Sequence, residues 1–278
     1  METVTTPAGI ELAFDRIVGG DSGTVILIGG AFSYRRFPKM VELAEKLAAD
    51  YRLTIINYDR RGRGDSTDSP GVYHVDNEID DLAALVEAVG GRAELFGWSS
   101  GAGLALRAAA SGRVPGITKV VAFEPPFVVD HENFVPPADL ATTLHALIAA
   151  DKRAELVRFY MTKGMGVPRV FTWLMRLTPM WKNLLATAPA AAHDWAIMGE
   201  FMRGEPLRAA DWAGVEAPTL VISGAKSDAL LRNAARAITE VLPDARHQEL
   251  AKLSHNPDIS LLAPVAGEFL AAADRPAA

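Results

Sequence analysis

The residues with the clearest chemical potential are five consecutive ones, 97–101, which read Gly-Trp-Ser-Ser-Gly. An apolar run precedes them, and a stretch of small residues that favours a closely packed helix follows. A serine on so sharp a strand-to-helix turn has a strained backbone, so its neighbours two positions away must be small. Such a turn exposes the Ser99 hydroxyl and points the Ser100 N–H, at the helix N-terminus, toward a developing oxyanion. The pattern predicts a nucleophilic serine.

A serine hydroxyl is a poor nucleophile unless a base removes its proton, and a neutral histidine can do so near neutral pH. The pentapeptide resembles the nucleophile elbow of the α/β-hydrolase fold superfamily, which carries its catalytic histidine in the loop after the last strand. Among the six histidines, His255 occupies that position. Ser254 precedes it where the superfamily usually has glycine. The resemblance therefore implies that His255 is the base.

An acid must orient the imidazole, and two residues compete for this role. The superfamily most often carries an aspartate after the strand that ends at Ser223, but Asp228 lies one position late and also fits a helix N-cap. Glu124 follows the strand after the elbow helix, where branches such as haloalkane dehalogenases and zearalenone-type lactone hydrolases keep their acid. We expect Glu124 to be the acid, with Asp228 as the alternative.

The resemblance extends to two further loops. Residues 29–32, Gly-Gly-Ala-Phe, follow a short apolar strand where the superfamily commonly has His-Gly and then an oxyanion-hole amide. Gly29 replaces the histidine, and the Ala31 N–H would join that of Ser100 in the oxyanion hole. Residues 59–66 resemble the superfamily's Asp-x-Arg-Gly-x-Gly-x-Ser loop, whose charges brace a turn near the active site. We interpret these charges as structural.

The elements that must position these residues alternate between strands and helices. A hairpin is predicted over residues 3–18. Apolar runs typical of buried strands end before the candidate residues, and amphipathic helices separate them; the strands are predicted at residues 24–28, 53–58, 118–123, 217–223 and 246–250. This alternation predicts an α/β fold with a mostly parallel central sheet flanked by helices, and ligands at the carboxyl ends of the strands.

Residues 127–210 interrupt the alternation with a helical pattern rich in Met, Trp and Phe, where α/β-hydrolases insert a helical cap. We call residues 127–210 the cap segment and expect residues 1–126 and 211–278 to form the hydrolase core. Thioether and aromatic side chains suit an adaptable apolar pocket. The residues expected to bind substrate are Phe32, Trp98, Trp173, Met175 and Trp181.

Composition excludes several classes of function. A net charge of −6 with one dense basic cluster, at residues 60–63, makes nucleic acid an unsuitable partner. The absence of cysteine excludes disulfides, thiolate metal sites and a cysteine nucleophile. No signal peptide or membrane-spanning run is recognisable, so a cytoplasmic protein without a membrane partner is expected. The sequence leaves the oligomeric state open.

Together these features predict a serine hydrolase without cofactor or metal that acts on a small carboxylic ester or lactone with a largely apolar body. Two alternatives stay open at this point, because a fold does not determine its chemistry. The same site could serve C–C bond hydrolysis, perhydrolysis or a biosynthetic cyclisation. The chain could also be a non-catalytic binding protein that uses the pocket of the cap segment.

Overall fold

An eight-stranded sheet forms the centre of the computed structural model, which describes residues 1–68 and 71–273. Its strands are β1 (Glu2–Thr5), β2 (Glu11–Val18), β3 (Thr24–Ile28), β4 (Thr54–Tyr58), β5 (Ala93–Trp98), β6 (Ile117–Phe123), β7 (Thr219–Gly224) and β8 (Ala245–Leu250). Their order in the sheet is β1-β2-β4-β3-β5-β6-β7-β8. The first two strands pair antiparallel, and β2 pairs antiparallel with β4. All later pairings are parallel.

Continuously apolar runs form the central strands because helices cover both faces of the sheet. On one face lie α1 (Pro38–Tyr51) and α11 (Ile259–Ala271), which share an apolar cluster with the sheet. On the other face lie α2 (Val75–Ala88), α3 (Ser100–Ala110) and α10 (Ala229–Val241), whose buried side chains belong to a second cluster. The sheet is therefore held rigidly from both sides, and its loops carry the candidate residues.

Short helices follow β6 and precede β7. They are α4 (Leu140–Ala149), α5 (Arg153–Phe159), α6 (Arg169–Met175), α7 (Met180–Thr187), α8 (Ala191–Met198) and α9 (Ala209–Trp212). A π-helical turn (Tyr160–Gly164) and two 3₁₀ turns (Ala188–Ala190 and Gly199–Phe201) connect some of them. A third apolar cluster joins α4, α5 and α7 to Phe32, which lies in the loop after β3. Its packing holds the cap segment against the loop that follows β3.

The predicted fold class is confirmed: a mostly parallel sheet flanked by helices, with helices inserted after β6. The five strands predicted after the hairpin agree with the observed ones to within two residues at each end. The division into core and cap segment at residues 126 and 210 stays a prediction, and residues 274–278 of the proposed core lie outside the described range. In the described ranges, no helix is both long and apolar enough to cross a membrane.

Candidate active site

The turn between β5 and α3 holds Ser99 in a strained conformation. Its φ of 57° and ψ of −124° lie in a region that non-glycine residues rarely adopt. A Cβ on Gly97 would collide with the carbonyl oxygen of Gly101, and one on Gly101 would collide with that of Ile28. Both glycines are therefore required for α3 to lie this close to the sheet. The turn places Ser99 at the carboxyl end of a central strand.

His255 lies in the loop between β8 and α11, as predicted, and its Nδ1 is 2.6 Å from Oε2 of Glu124. The His255 side chain is 34% exposed, whereas Glu124 is fully buried. The ring of Phe123 stacks on the imidazole, with 6.2 Å between ring centroids. A carboxylate on Nδ1 keeps the proton of neutral imidazole on that nitrogen and leaves Nε2 free to accept one.

Glu124 is held by its own backbone and by the neighbouring strand. Its φ is 49°, and its N–H donates to the Ile222 carbonyl oxygen at 3.0 Å. The second carboxylate oxygen, Oε1, accepts the Gly224 N–H at 2.7 Å. One oxygen of the carboxylate is thus anchored to β7, and the other contacts the imidazole. This arrangement is suited to an acid that orients histidine.

Asp228, the alternative acid, occupies the N-cap position of α10, with an exposed side chain. Its carboxylate makes no capping hydrogen bond to that helix within the described residues. Asp228 and His255 do line the same cavity. The structure pairs the His255 ring with Glu124 and leaves Asp228 on the rim.

The loop after β3 lies directly against the nucleophile. A Cβ on Gly30 would be 2.8 Å from the Ser99 Cβ, so glycine permits this close approach. Ala31 lines the cavity that also contains Ser99 and Ser100. Ser100 opens α3, where the first N–H groups have no partner within the helix. The predicted oxyanion-hole residues Ala31 and Ser100 thus come together beside Ser99.

The cavity above Ser99 has a volume of about 460 Å³. The cap segment, α10 and the residue just before the cap segment supply an apolar wall: Pro126, Val128, Phe134, Tyr160, Met165, Val167, Trp195, Met198, Met202, Leu230 and Leu231. Polar side chains lie mainly on the loops after β7 and β8: Asn133, Lys226, Ser227, Asp228, Ser254 and Asn256. Asp228 and Lys226 put one charge of each sign on the rim. The cavity therefore suits an uncharged apolar group bound close to a polar mouth.

The five residues expected to bind substrate are not among those that line this cavity within the described residues. The β5 side chain of Trp98 points toward α1 and packs against Phe37 and Phe123. Trp173 is 56% exposed on α6.

Phe32 is buried with its ring edge-on to Tyr160, and Met175 and Trp181 pack in the third apolar cluster. These residues were predicted to bind substrate from their residue types. Residue type does not show in which direction a side chain points. Tyr160, Met165, Trp195, Met198 and Met202 of the same segment reach the cavity instead.

A buried ion network next to the loop after β3 was not predicted. Asp194 of α8, fully buried, accepts hydrogen bonds from Arg60 and Arg63 at 2.8 and 2.7 Å and from the Ser100 hydroxyl at 2.7 Å. Arg60 also makes a two-point contact with Glu78. Burial raises the pKa of Asp194, but Arg63 and Arg60 outweigh that effect and hold the pKa below its ordinary value. The carboxylate is therefore ionised at neutral pH.

His193 lies beside this network and stacks on the Tyr73 ring, with centroids 4.1 Å apart. Its Nε2 is 3.6 Å from Asp68, and Nδ1 is buried without a hydrogen-bond partner in the described residues. Burial lowers the pKa of His193; Glu78 and Asp68 oppose this effect, whereas Arg63 and Arg60 reinforce it. At neutral pH the folded protein therefore holds His193 in its neutral form.

Acidification is expected to weaken the fold through His193. Since the pKa of His193 is lower in the folded state, the unfolded chain binds a proton first as pH falls below about 6.5. The stability contributed by neutral His193 is therefore full above that pH and is lost as pH falls toward the folded pKa. His193→Phe preserves the ring on Tyr73 and should show a smaller fall in urea midpoint between pH 7.5 and pH 5 than the parent protein. An equal fall in both proteins would contradict this assignment.

No group of three or more His, Asp or Glu side chains that could hold a metal ion occurs in residues 1–68 and 71–273. The polar groups around Ser99 instead form pairs and backbone contacts. The site thus brings a serine, a histidine and a buried carboxylate together with the backbone amides at Ala31 and Ser100.

Comparisons with known proteins identify the family of the chain. Residues 25–270 match the Alpha/beta hydrolase family. An alpha/beta hydrolase from Sphaerobacter thermophilus is 42% identical, with a TM-score of 0.86 over 96% of this chain and 99% of that one. The chain belongs to the alpha/beta hydrolase family. A search of curated proteins finds no match.

More distant structures share the fold. A thermophilic esterase from Thermogutta terrifontis is 22% identical, with a TM-score of 0.65 over 97% of both chains. An enol-lactonase from Burkholderia xenovorans is also 22% identical, with a TM-score of 0.59 over 97% of this chain and 96% of that one.

Proposed function

We propose that the protein is a serine hydrolase that cleaves small carboxylic esters or lactones with a largely apolar body. The observation that carries the proposal is the buried Glu124 carboxylate on His255 Nδ1, in a site that also holds Ser99 on its strained turn. A carboxylate that fixes the proton of a histidine in the same site as a serine supports catalysis over binding alone. The enol-lactonase and esterase folds are compatible with this chemistry, although their identity to this chain is low.

The reaction begins when Ser99 Oγ attacks the substrate carbonyl carbon and its proton passes to His255 Nε2. The Ala31 and Ser100 N–H groups stabilise the negative oxygen of the tetrahedral intermediate, and Glu124 stabilises the imidazolium. The intermediate collapses, and the imidazolium gives its proton to the departing alkoxide. In a lactone this alkoxide stays attached to the acyl group.

The acyl-enzyme is then hydrolysed by the reverse sequence of proton transfers. His255 Nε2 takes a proton from water as the water oxygen attacks the acyl carbon, and a second tetrahedral intermediate forms in the same oxyanion hole. Its collapse releases the carboxylic acid and returns the proton to Ser99. Every step uses groups of the chain, the substrate and water.

Labelling with a fluorophosphonate probe, combined with turnover of p-nitrophenyl butyrate, tests this proposal. We expect stoichiometric modification of Ser99 and measurable release of p-nitrophenol. A protein that binds ligands but is neither labelled nor active would contradict the hydrolase assignment. Activity in C–C cleavage or perhydrolysis assays that exceeds ester and lactone hydrolysis would favour those reactions.

The side chains that separate two neighbouring cavities should determine the length of the acyl chain that the protein accepts. A second cavity of about 650 Å³, bordered by Tyr73 and His145, shares Trp195 and Met202 with the cavity above Ser99. Each methylene buried in an apolar pocket contributes about 0.8 kcal/mol, or roughly fourfold in kcat/KM. We expect kcat/KM to rise from acetate toward longer acyl chains, and Trp195→Ala to move the optimum to longer chains still.

Trp173→Ala is the matched control, because it removes the same side chain from an exposed position of the cap segment. It should leave the chain-length optimum of p-nitrophenyl esters unchanged. A shift with Trp173→Ala but not with Trp195→Ala would restore Trp173 as the substrate-binding residue that the sequence suggested.

A further inference from the structure

We propose that Asp194 of the cap segment is a positioning residue that orients both N–H donors of the oxyanion hole. The inference rests on the proposed function, because the hole matters only if Ser99 forms a tetrahedral intermediate. A buried carboxylate outside the Ser99–His255–Glu124 set would thus affect the rate of the reaction through the residues that it holds. The hydrogen bonds of Asp194 lead in two directions, one toward each donor.

The first direction leads through Arg63 to the peptide between Gly30 and Ala31. Arg63 uses Nη2 to contact Asp194 Oδ2 at 2.7 Å and Nη1 to donate to the Gly30 carbonyl oxygen at 2.6 Å. The Ser33 hydroxyl and backbone N–H also donate to this oxygen, at 2.8 and 3.2 Å. The direction of the Gly30 carbonyl is therefore determined by Arg63 and Ser33 together.

Fixing this carbonyl also fixes the amide that follows. In a planar trans peptide, the C=O of one residue and the N–H of the next point in opposite directions. The described peptide bonds are all trans, so the Ala31 N–H must point away from the oxygen that Arg63 holds. Rotation of that peptide would turn the Ala31 N–H out of the hole. Arg60 supports the preceding peptide by donating to the Gly29 carbonyl oxygen at 3.2 Å.

The second direction leads to the other donor. The Ser100 hydroxyl donates to Asp194 Oδ1 at 2.7 Å, and Arg60 donates to the same oxygen at 2.8 Å. Ser100 is the first residue of α3, so this contact holds the residue whose N–H would meet the oxyanion. One buried carboxylate, supplied by α8 of the cap segment, thus connects to both donors. Its negative charge is neutralised by two arginines and does not oppose the oxyanion directly.

The central test is Asp194→Asn, which keeps the shape of the side chain but faces one arginine with an amide N–H. Because an N–H cannot accept a hydrogen bond, Arg63 or Arg60 loses its contact and the loop after β3 is released. Loss of one oxyanion-hole donor lowers kcat by roughly 10²- to 10³-fold. We expect a fall in kcat of about 10²-fold with p-nitrophenyl butyrate, and a change in KM below about threefold.

A second readout separates positioning from a merely structural role. An alkyl boronic acid forms a tetrahedral adduct with the serine and uses the oxyanion hole, whereas an alkyl amide of equal length binds in its planar ground state. Asp194→Asn should weaken inhibition by the boronic acid by about the same factor as kcat. Inhibition by the amide should change by less than about threefold.

The matched control is Asp81→Asn, which also removes a buried carboxylate that contacts an arginine through two hydrogen bonds. Asp81 and Arg61 are each 1% exposed, and Arg61 Nη2 also donates to the Asn77 carbonyl oxygen of α2. This variant should lose thermal stability without a comparable loss of kcat or of boronic acid affinity. A similar kcat loss in both variants would assign the effect to general destabilisation and overturn the proposal.

A folded Asp194→Asn protein with normal kcat and normal boronic acid affinity would overturn it as well. Equal weakening of inhibition by the amide and by the boronic acid would assign Asp194 to substrate binding instead.

If Asp194→Asn does not fold, Ser100→Ala provides the test, since it removes the hydroxyl contact but keeps the N–H. It should weaken boronic acid inhibition by about fivefold relative to the amide, and an unchanged ratio would contradict the proposal. Absence of labelling or turnover in the unmodified protein would refute the proposed function itself.

Discussion

Ser99→Ala is expected to lower kcat on p-nitrophenyl butyrate by roughly 10⁴-fold or more, because it removes the hydroxyl that we propose as the nucleophile. The substitution removes the Oγ atom alone and retains the Cβ that the turn already accommodates. The glycines at 97 and 101 still permit the tight approach of α3 to the sheet. The melting temperature should therefore change by no more than about 2 °C, and the measurement is steady-state turnover beside a thermal melt.

Ser111→Ala is a suitable control, because Ser111 follows the same helix and its side chain is exposed. It should keep full activity. Mass spectrometry of the phosphonate-labelled protein adds an independent check, since Ser99 and Ser100 are adjacent. A label on Ser100, or near-normal turnover by Ser99→Ala, would show that the nucleophile has been assigned incorrectly.

Most of the core could be predicted because its elements are determined locally. Strands buried on both faces must be continuously apolar, and Thr24–Ile28 shows this pattern without ambiguity. The turn at Ser99 is similarly local, since the glycines that permit it lie within two residues. The position of His255 was predicted from the resemblance to the α/β-hydrolase superfamily, which carries a histidine in the loop after the last strand.

The cavity wall could not be predicted, because it depends on the rotation of short helices. In the cap segment, Trp173 and Trp195 look equivalent as residue types, yet one is exposed and the other lines the cavity. Short helices have no long periodic face to show which side is buried. Trp98 was misplaced for a different reason. Trp98 ends β5, and its side chain points to the face of the sheet that α1 covers. It joins the core there, between α1 and β6.

The contact between Asp194 and the oxyanion loop depends on tertiary structure alone. Asp194 lies more than 90 residues from Ser100 and more than 130 from Arg63 and Arg60. Spacing along the chain gives no reason to connect them. The basic loop was interpreted as structural, and its arginines do hold backbone carbonyls in place. What the sequence did not show is that these carbonyls belong to Gly29 and Gly30, in the loop after β3.

Glu124→Gln is expected to lower kcat by roughly 10³- to 10⁴-fold while KM stays close to its normal value. The glutamine can keep its carbonyl oxygen on the Gly224 N–H, which Glu124 Oε1 accepts at 2.7 Å. Its amide then faces His255 Nδ1 with N–H groups, so Nδ1 must become the acceptor and the ring proton moves to Nε2. A protonated Nε2 cannot take the proton of Ser99. The fall in kcat thus results from the wrong imidazole tautomer and the missing carboxylate charge, not from unfolding. A thermal melt should therefore show little change.

Asp228→Ala is the matched comparison, because it removes the other candidate carboxylate from the same cavity. Its side chain is exposed and makes no capping bond to α10 in the described structure, so the cost in stability should fall below the 1 kcal/mol of an ordinary N-cap. Turnover should stay within about threefold of normal, since His255 keeps Glu124 on Nδ1. The reverse pattern, an active Glu124→Gln and an inactive Asp228→Ala, would transfer the role of acid to Asp228. Two partly active variants would mean that both carboxylates can serve the imidazole, which the 2.6 Å contact between Nδ1 and Glu124 opposes because Nδ1 carries a single proton.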